Sequence, residues 1–181
     1  MIEQMDKKQK RFWMRSSILL VMLAAIGYTF YSHFSEDRGL VDAGDEAPDF
    51  VLTDLDGEEV ELSDYQGQGV YLNFWATYCT FCRQKMDDLK DHYEDFEERG
   101  VHVLNVNVDE STLQVERHKE RYELPYDLMI DRDMLVSDAY GVGVLPTTLS
   151  INADGEVVNR SVGGKTEEQL VGELESIVPE T

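Results

Sequence analysis

The chain has 181 residues, with 16 Lys and Arg against 37 Asp and Glu, a formal charge of −21. The first fifteen residues hold five of the basic and two of the acidic side chains, so 11 and 35 remain from residue 16 onward. A surface this acidic repels nucleic acid and anionic lipid, which excludes a polyanion as ligand. The bland reading, a solvated and solubilising exterior suited to salty or alkaline surroundings, is preferred to a patch built for one basic partner.

Lys7, Lys8, Lys10, Arg11 and Arg15 outnumber Glu3 and Asp6, and Ser16 to Ser35 then contains no charged residue. Nineteen residues from Ser16 to Phe34, at about 1.5 Å each, reach roughly 28 Å and match a hydrocarbon core of about 30 Å. The basic flank, against a lone Arg38 beyond the span, predicts a cytoplasmic N-terminus and an extracytoplasmic remainder. Ala25-Ile26-Gly27 offers a cleavage site for a signal peptide, but the apolar stretch continues past it. The predicted order is a cytoplasmic stub at 1–15, a transmembrane anchor at 16–35, a tether at 36–44 and one compact domain at 45–181.

Within that domain, Phe50-Val51-Leu52 and Val60-Glu61-Leu62 flank Asp54-Leu55-Asp56-Gly57 and predict a hairpin whose turn needs a positive φ at Gly57. Ser63 to Tyr65 reads as a helical turn. The apolar, β-rich run from Val70 to Trp75 reads as a buried strand. Apolar residues at Met86, Leu89, Tyr93 and Phe96 then predict one amphipathic helix from near Cys79 to a C-cap at Gly100. Val101–Val108 is the next strand, Ser111–Tyr122 a polar and mostly exposed helix, Tyr126–Ile130 a strand, and Arg132–Tyr140 a short helix stopped by Gly141. A second hairpin follows, turning at Asp154-Gly155 with Pro146 at its entry, and a Thr166/Gln169 capping box opens a last helix through Ile177. Alternating strands and helices that end in an antiparallel hairpin predict an α/β fold, a central mixed sheet with helices on both faces.

Only two cysteines occur, Cys79 and Cys82, and they bracket a predicted strand-to-helix junction. A thiol there lies near unpaired N–H groups and the positive end of the helix dipole, which favour the thiolate and hence a nucleophile. As a purely structural disulfide the pair closes too short a loop to remove much chain entropy. As a zinc site it lacks ligands, since His33, His92, His102 and His118 contain no pair three to five residues apart. Two inert buried thiols fit scattered positions better than this one. Thiol-disulfide exchange is the chemistry the spacing favours.

The FWATYCTFC start, the downstream VLPTT segment and the GDEAPDFVLTDLDGEEVELSDYQG preface together resemble the membrane-anchored, thioredoxin-like thiol-disulfide oxidoreductases of the ResA, TlpA and CcmG type. The resemblance runs from about residue 44 to 178 and includes the anchor. It implies a thioredoxin-like fold and a cis peptide bond before Pro146. The loop Leu145-Pro146-Thr147 would lie against the cysteine pair, ready for an extended substrate. It also implies catalysis by Cys79 and Cys82 without a cofactor other than their redox-active disulfide, electrons from an integral membrane thiol donor of the CcdA or DsbD type, and apocytochrome c as substrate. A cell-wall or sporulation enzyme is the alternative substrate. Trp75 and Tyr78 are expected to shield the site, with core packing an equal reading for Trp75.

Several positions depart from that pattern. Phe81 stands where proline is common, and Asp87 where another proline is usual. Lys85 replaces a glutamate three residues after the second cysteine, and as a nearby cation it favours the thiolate unless it points into solvent. Glu110 matches a second family carboxylate, or is simply a loop acid before the Ser111 cap. Asn73 takes a buried position that is acidic in cytosolic thioredoxins. Two other classes share part of the pattern. A peroxiredoxin shares the APDF preface, but Phe74 to Cys79 lacks its proline; a copper-delivery module spaces its cysteines one residue wider.

Overall fold

A computed structural model describes residues 7–35 and 40–179. Residues 1–6 of the expected stub and 36–39 of the expected tether lie outside the described residues. The chain divides into two compact units, Met1–Arg38 and Gly39–Thr181. In the first, a single helix, α1, runs Lys7–Ser35. Its window Arg11–Tyr28 has a mean hydropathy of 1.2 and buries none of its length in protein, so by length and composition it is a candidate membrane span.

The second unit is organised around β3 (Gly69–Trp75), in which every residue is buried. Burial on both sides explains why this strand reads as a continuous apolar run instead of an alternation. It pairs in parallel with β4 (Val101–Val108), which pairs in parallel with β5 (Leu128–Asp131). On its other edge it pairs antiparallel with β6 (Thr147–Ile151), and β6 with β7 (Val157–Val162). The mixed sheet therefore has the order β5-β4-β3-β6-β7.

The predicted N-terminal hairpin forms as a separate ribbon, β1 (Val51–Thr53) against β2 (Glu59–Glu61), in the register Leu52 opposite Val60. Gly57 takes φ of +88° in its turn, a conformation that L side chains resist. A 3-10 turn at Leu62–Tyr65 leads into β3.

One expected element is divided. The helix predicted from Cys79 to Gly100 is two, α2 (Thr80–Lys90) and α3 (Tyr93–Glu98). At the break the His92 N–H bonds to the Leu89 carbonyl three residues back, a tightened turn. Asp87, Asp91 and Asp95 repeat every four residues across the break, a like-charged spacing that weakens a continuous helix by about 0.2–0.5 kcal/mol per pair. The apolar face survives it, with Met86, Leu89 and Phe96 all buried.

The remaining helices are α4 (Thr112–Tyr122), α5 (Leu135–Ala139) and α6 (Glu167–Glu175). Both α4 and α6 begin in capping boxes, Ser111 with Gln114 and Thr166 with Gln169, so the second matches its sequence signature. Two cores result. One joins Cys82, Met86, Leu89, Phe96, Val115, Leu170 and Leu174 to Tyr71 and Trp75, gathering α2, α3, α4 and α6 onto one face. The other sets Phe50, Leu62, Val136 and Tyr140 against Leu72 and Phe74 on the opposite face. The sheet is covered on both sides, as the strand and helix order predicts.

Candidate active site

β3 ends at Trp75 and α2 starts at Thr80, so the chain turns from the sheet centre into a helix within Ala76 to Cys79. Cys79 is the N-cap of α2, and its sulfur accepts the Cys82 N–H at 3.1 Å. The two cysteines are joined in a disulfide with their Cα atoms 5.2 Å apart. They differ in access, since Cys79 is half-buried and Cys82 is fully buried. Only the first presents its sulfur to a partner, in an N-cap position that stabilises a thiolate once the bond is reduced.

Leu145–Pro146 is a cis peptide bond, as the resemblance implies. Thr147 lies opposite Phe74 in the sheet register, so Pro146 stands at the same edge as the end of β3 and the loop to Cys79. Pro146 and Thr147 are buried, and Leu145 is half-buried. Around the pair, Tyr78 is 76% and Phe81 62% exposed. Tyr78, the residue before Cys79, is thus a surface side chain. Phe81 leans on the loop before α6, where a Cβ at Gly164 would come within 2.8 Å of its ring. Any side chain there would displace it. Trp75 is fully buried, a core residue beneath the site.

Glu110 reaches back from the loop after β4. Its carboxylate accepts the Thr77 N–H at 2.6 Å, the Thr77 hydroxyl at 2.5 Å and the Asn107 amide at 2.7 Å. Thr77 is two residues before Cys79, so this buried acid clamps the turn that presents the nucleophile.

Lys85 does not point into solvent. It is 2% exposed, its amine donates to the Thr148 hydroxyl, and it sits 5.1 Å from the centre of the Tyr71 ring. Burial pushes its pKa well below the usual lysine range, and Lys165 adds to the effect. The expectation of a standing cation beside the thiolate is thereby revised, because the same burial that brings Lys85 inside works against its charge. Asn73 completes this interior with a bond from its amide to the Asn105 oxygen at 2.8 Å.

His118 was not singled out by sequence reasoning. It is 9% exposed on α4, with its ring 5.1 Å from Trp75 and 4.5 Å from Tyr122. Burial lowers its pKa, Glu110 opposes this, and Arg121 and Arg83 reinforce it. The three- and four-residue spacing of Val115, His118 and Tyr122 is the signal for this buried face of α4.

A half-exposed cysteine capping a helix, bonded to a buried one three residues on, defines a thioredoxin-fold thiol-disulfide oxidoreductase, whose redox-active group is the cysteine pair itself. Residues 43–160 match the AhpC/TSA family. The thiol-disulfide oxidoreductase ResA of Halalkalibacterium halodurans is 48% identical over 176 residues, 97% of this chain and 99% of that protein. ResA of Geobacillus kaustophilus is 49% identical over 173 residues, covering 96% and 99%. Among solved structures, one described as a thiol:disulfide interchange protein DsbE from Chlorobium tepidum superposes with a TM-score of 0.72 at 31% identity, over 76% of this chain and 99% of that one. The chain belongs to the ResA family of thiol-disulfide oxidoreductases.

Proposed function

We propose that the Cys79–Cys82 pair is a reductant of protein disulfides on the outer side of a membrane, and that its substrate is the disulfide of apocytochrome c before haem attachment. The observation that carries the direction of attack is the unequal burial of the two sulfurs. In the reduced protein the Cys79 thiolate attacks one substrate sulfur, giving a mixed disulfide and expelling the other substrate sulfur as a thiolate. Cys82 then loses its proton and attacks the Cys79 sulfur, which releases the second substrate thiolate. Two electrons have passed to the substrate, and the pair is left in the oxidised form.

The site residues divide by place. Tyr78 and the half-buried Leu145 meet the substrate at the surface, with Pro146 and Thr147 buried directly behind them. Trp75, Glu110 and Lys85 hold the scaffold beneath it. The acidic domain lies outside the cell, with α1 as an anchor whose basic end is cytoplasmic. Disulfides form readily in that compartment, so the pair has to be re-reduced through the membrane by an integral thiol carrier of the CcdA or DsbD type.

The test is the reduction potential of the pair in the full-length protein in detergent, equilibrated with dithiothreitol at pH 7. A value near or below about −250 mV, in the thioredoxin range, supports a reductant. A value near about −120 mV, that of a strong oxidant, reverses the direction and makes disulfide formation the activity. A Cys82→Ser protein, which cannot resolve the mixed disulfide, is expected to capture apocytochrome c carrying its CxxCH disulfide. Capture of other disulfide proteins to the exclusion of that one would reject the substrate.

A further inference from the structure

On α4 lies a pocket whose lining holds two arginines and no acid, in a domain that is otherwise rich in acids. The pocket, of about 230 Å³, is lined by Thr77, Gln114, Arg117, His118, Arg121 and Tyr122. Thr77 lies two residues before Cys79, and Arg83, the residue after Cys82, places its guanidinium carbon 5.8 Å from the centre of the Tyr122 ring. Two arginines thus line the hollow, and a third, Arg83, stacks on the Tyr122 ring that forms part of its wall.

Their lack of partners is the informative point. Arg99, Lys119 and Lys165 are each matched to a carboxylate, and Lys85, Lys90, Arg132 and Arg160 donate to hydroxyl or carbonyl oxygens, whereas the side chains of Arg83, Arg117 and Arg121 have neither an ion pair nor a hydrogen-bond acceptor among the described residues. After the first fifteen residues acids outnumber bases by 35 to 11, so cations without acids are not what a solubilising surface requires. Arg117 and Arg121 are also four apart on one helix, a like-charged spacing that weakens it. Both features fit a site that keeps its cations free for an incoming anion. Guanidinium groups suit a carboxylate in particular, because their fork of N–H donors matches its two oxygens.

We propose that this pocket takes an Asp or Glu side chain of the protein substrate, one that flanks the substrate disulfide, and so fixes the orientation in which the substrate sulfur meets Cys79. The inference rests on the reading of the pair as a reductant of protein disulfides and adds a determinant of specificity to it. The surrounding acidic surface repels an acidic partner in every other orientation, so attraction at this one hollow selects register.

The experiment uses the full-length protein in detergent and two disulfide peptides that differ by a single Glu or Gln beside the cystine. In the reduced wild type, the exchange rate constant for the Glu peptide is expected to exceed that for the Gln peptide by about fivefold at low salt, with the advantage fading as salt screens it. In the Arg117→Gln/Arg121→Gln protein the ratio should fall to one or below. A wild-type ratio of one or less, or a ratio the double variant leaves intact, would overturn the proposal.

A second readout needs no turnover. The groups acting on His118 are Arg83 and Asp87 from α2, Arg121 from its own helix and Glu110 from the loop after β4. A carboxylate seated in the pocket adds negative charge, so a cysteine-free Glu peptide should raise the His118 pKa in the oxidised protein, followed by its imidazole resonance, and the Gln peptide should not. Equal or absent shifts would reject the pocket. If the wild type reduces neither peptide, the failure belongs to the reductase reading, and the imidazole titration alone decides the site.

Discussion

On the α4 side of the disulfide a buried carboxylate, Glu110, meets three donors within 2.7 Å, whereas on the sheet side a buried amine, Lys85, meets one hydroxyl oxygen and the face of a ring. Both lie within a few ångströms of elements that carry the reactive pair, and both are removed from water. They differ in how completely the protein replaces that water. Glu110 exchanges hydration for a backbone N–H, a hydroxyl and an amide, and its charge has partners on each oxygen. Lys85 keeps two of its three hydrogens without a protein acceptor among the described residues. Burial works against the charge of Lys85, whereas each Glu110 oxygen is matched by a donor.

The sharpest way to break this contrast is to remove the acid. Glu110→Ala leaves the Thr77 N–H, the Thr77 hydroxyl and the Asn107 amide without their acceptor, and is expected to cost about 3 kcal/mol in urea unfolding. Glu110→Gln can still accept from Thr77 N–H and Asn107 through its oxygen while donating to the Thr77 hydroxyl, so its loss should be about a third of that. Equal losses would mean that the charge, not the hydrogen-bond set, holds the turn.

Lys85→Met makes the opposite prediction. It removes a poorly matched amine and keeps the volume, so stability at pH 7 should rise by about 1 kcal/mol. The sign with pH follows from the lowered pKa. The unfolded chain binds the lysine proton more tightly than the folded one, so the wild type loses stability as pH falls from about 10.4 toward the folded pKa. The gap between wild type and Lys85→Met should therefore close as pH rises toward 10. A constant gap would show that the amine is not the cause.

The smallest expected effect is at His118. Its pKa is lowered by burial, so its contribution to stability is whole above about 6.5 and is lost as pH falls through the lower folded value. His118→Gln should flatten the decline in stability between pH 7 and 5, seen as a smaller shift in unfolding midpoint. An unchanged slope would place the acid sensitivity elsewhere.

Local rules were enough to find the elements of this protein. Pattern and turn chemistry placed the Gly57 hairpin, the buried strand ending at Trp75, the Thr166 capping box and the cysteine that caps α2, because each is written in residues at most a few positions apart. The division of the domain's first α-helix near Asp91 was not legible, because the apolar spacing of Met86, Leu89, Tyr93 and Phe96 runs across the break unchanged.

What only the tertiary structure decided was which polar side chains turn inward. Lys85 sits on a helix rich in charge, and nothing in its neighbours distinguishes it from a solvated residue until β3 and β6 close around it, while the spacing of His118 with Val115 and Tyr122 marks a buried face but not what that face meets. Glu110 meets Thr77 across 33 positions of sequence for the same reason. The nucleophile, its spacing and the strand that carries it are properties of a short segment. The protonation of the groups around it depends on desolvation, which exists only when distant elements exclude water together.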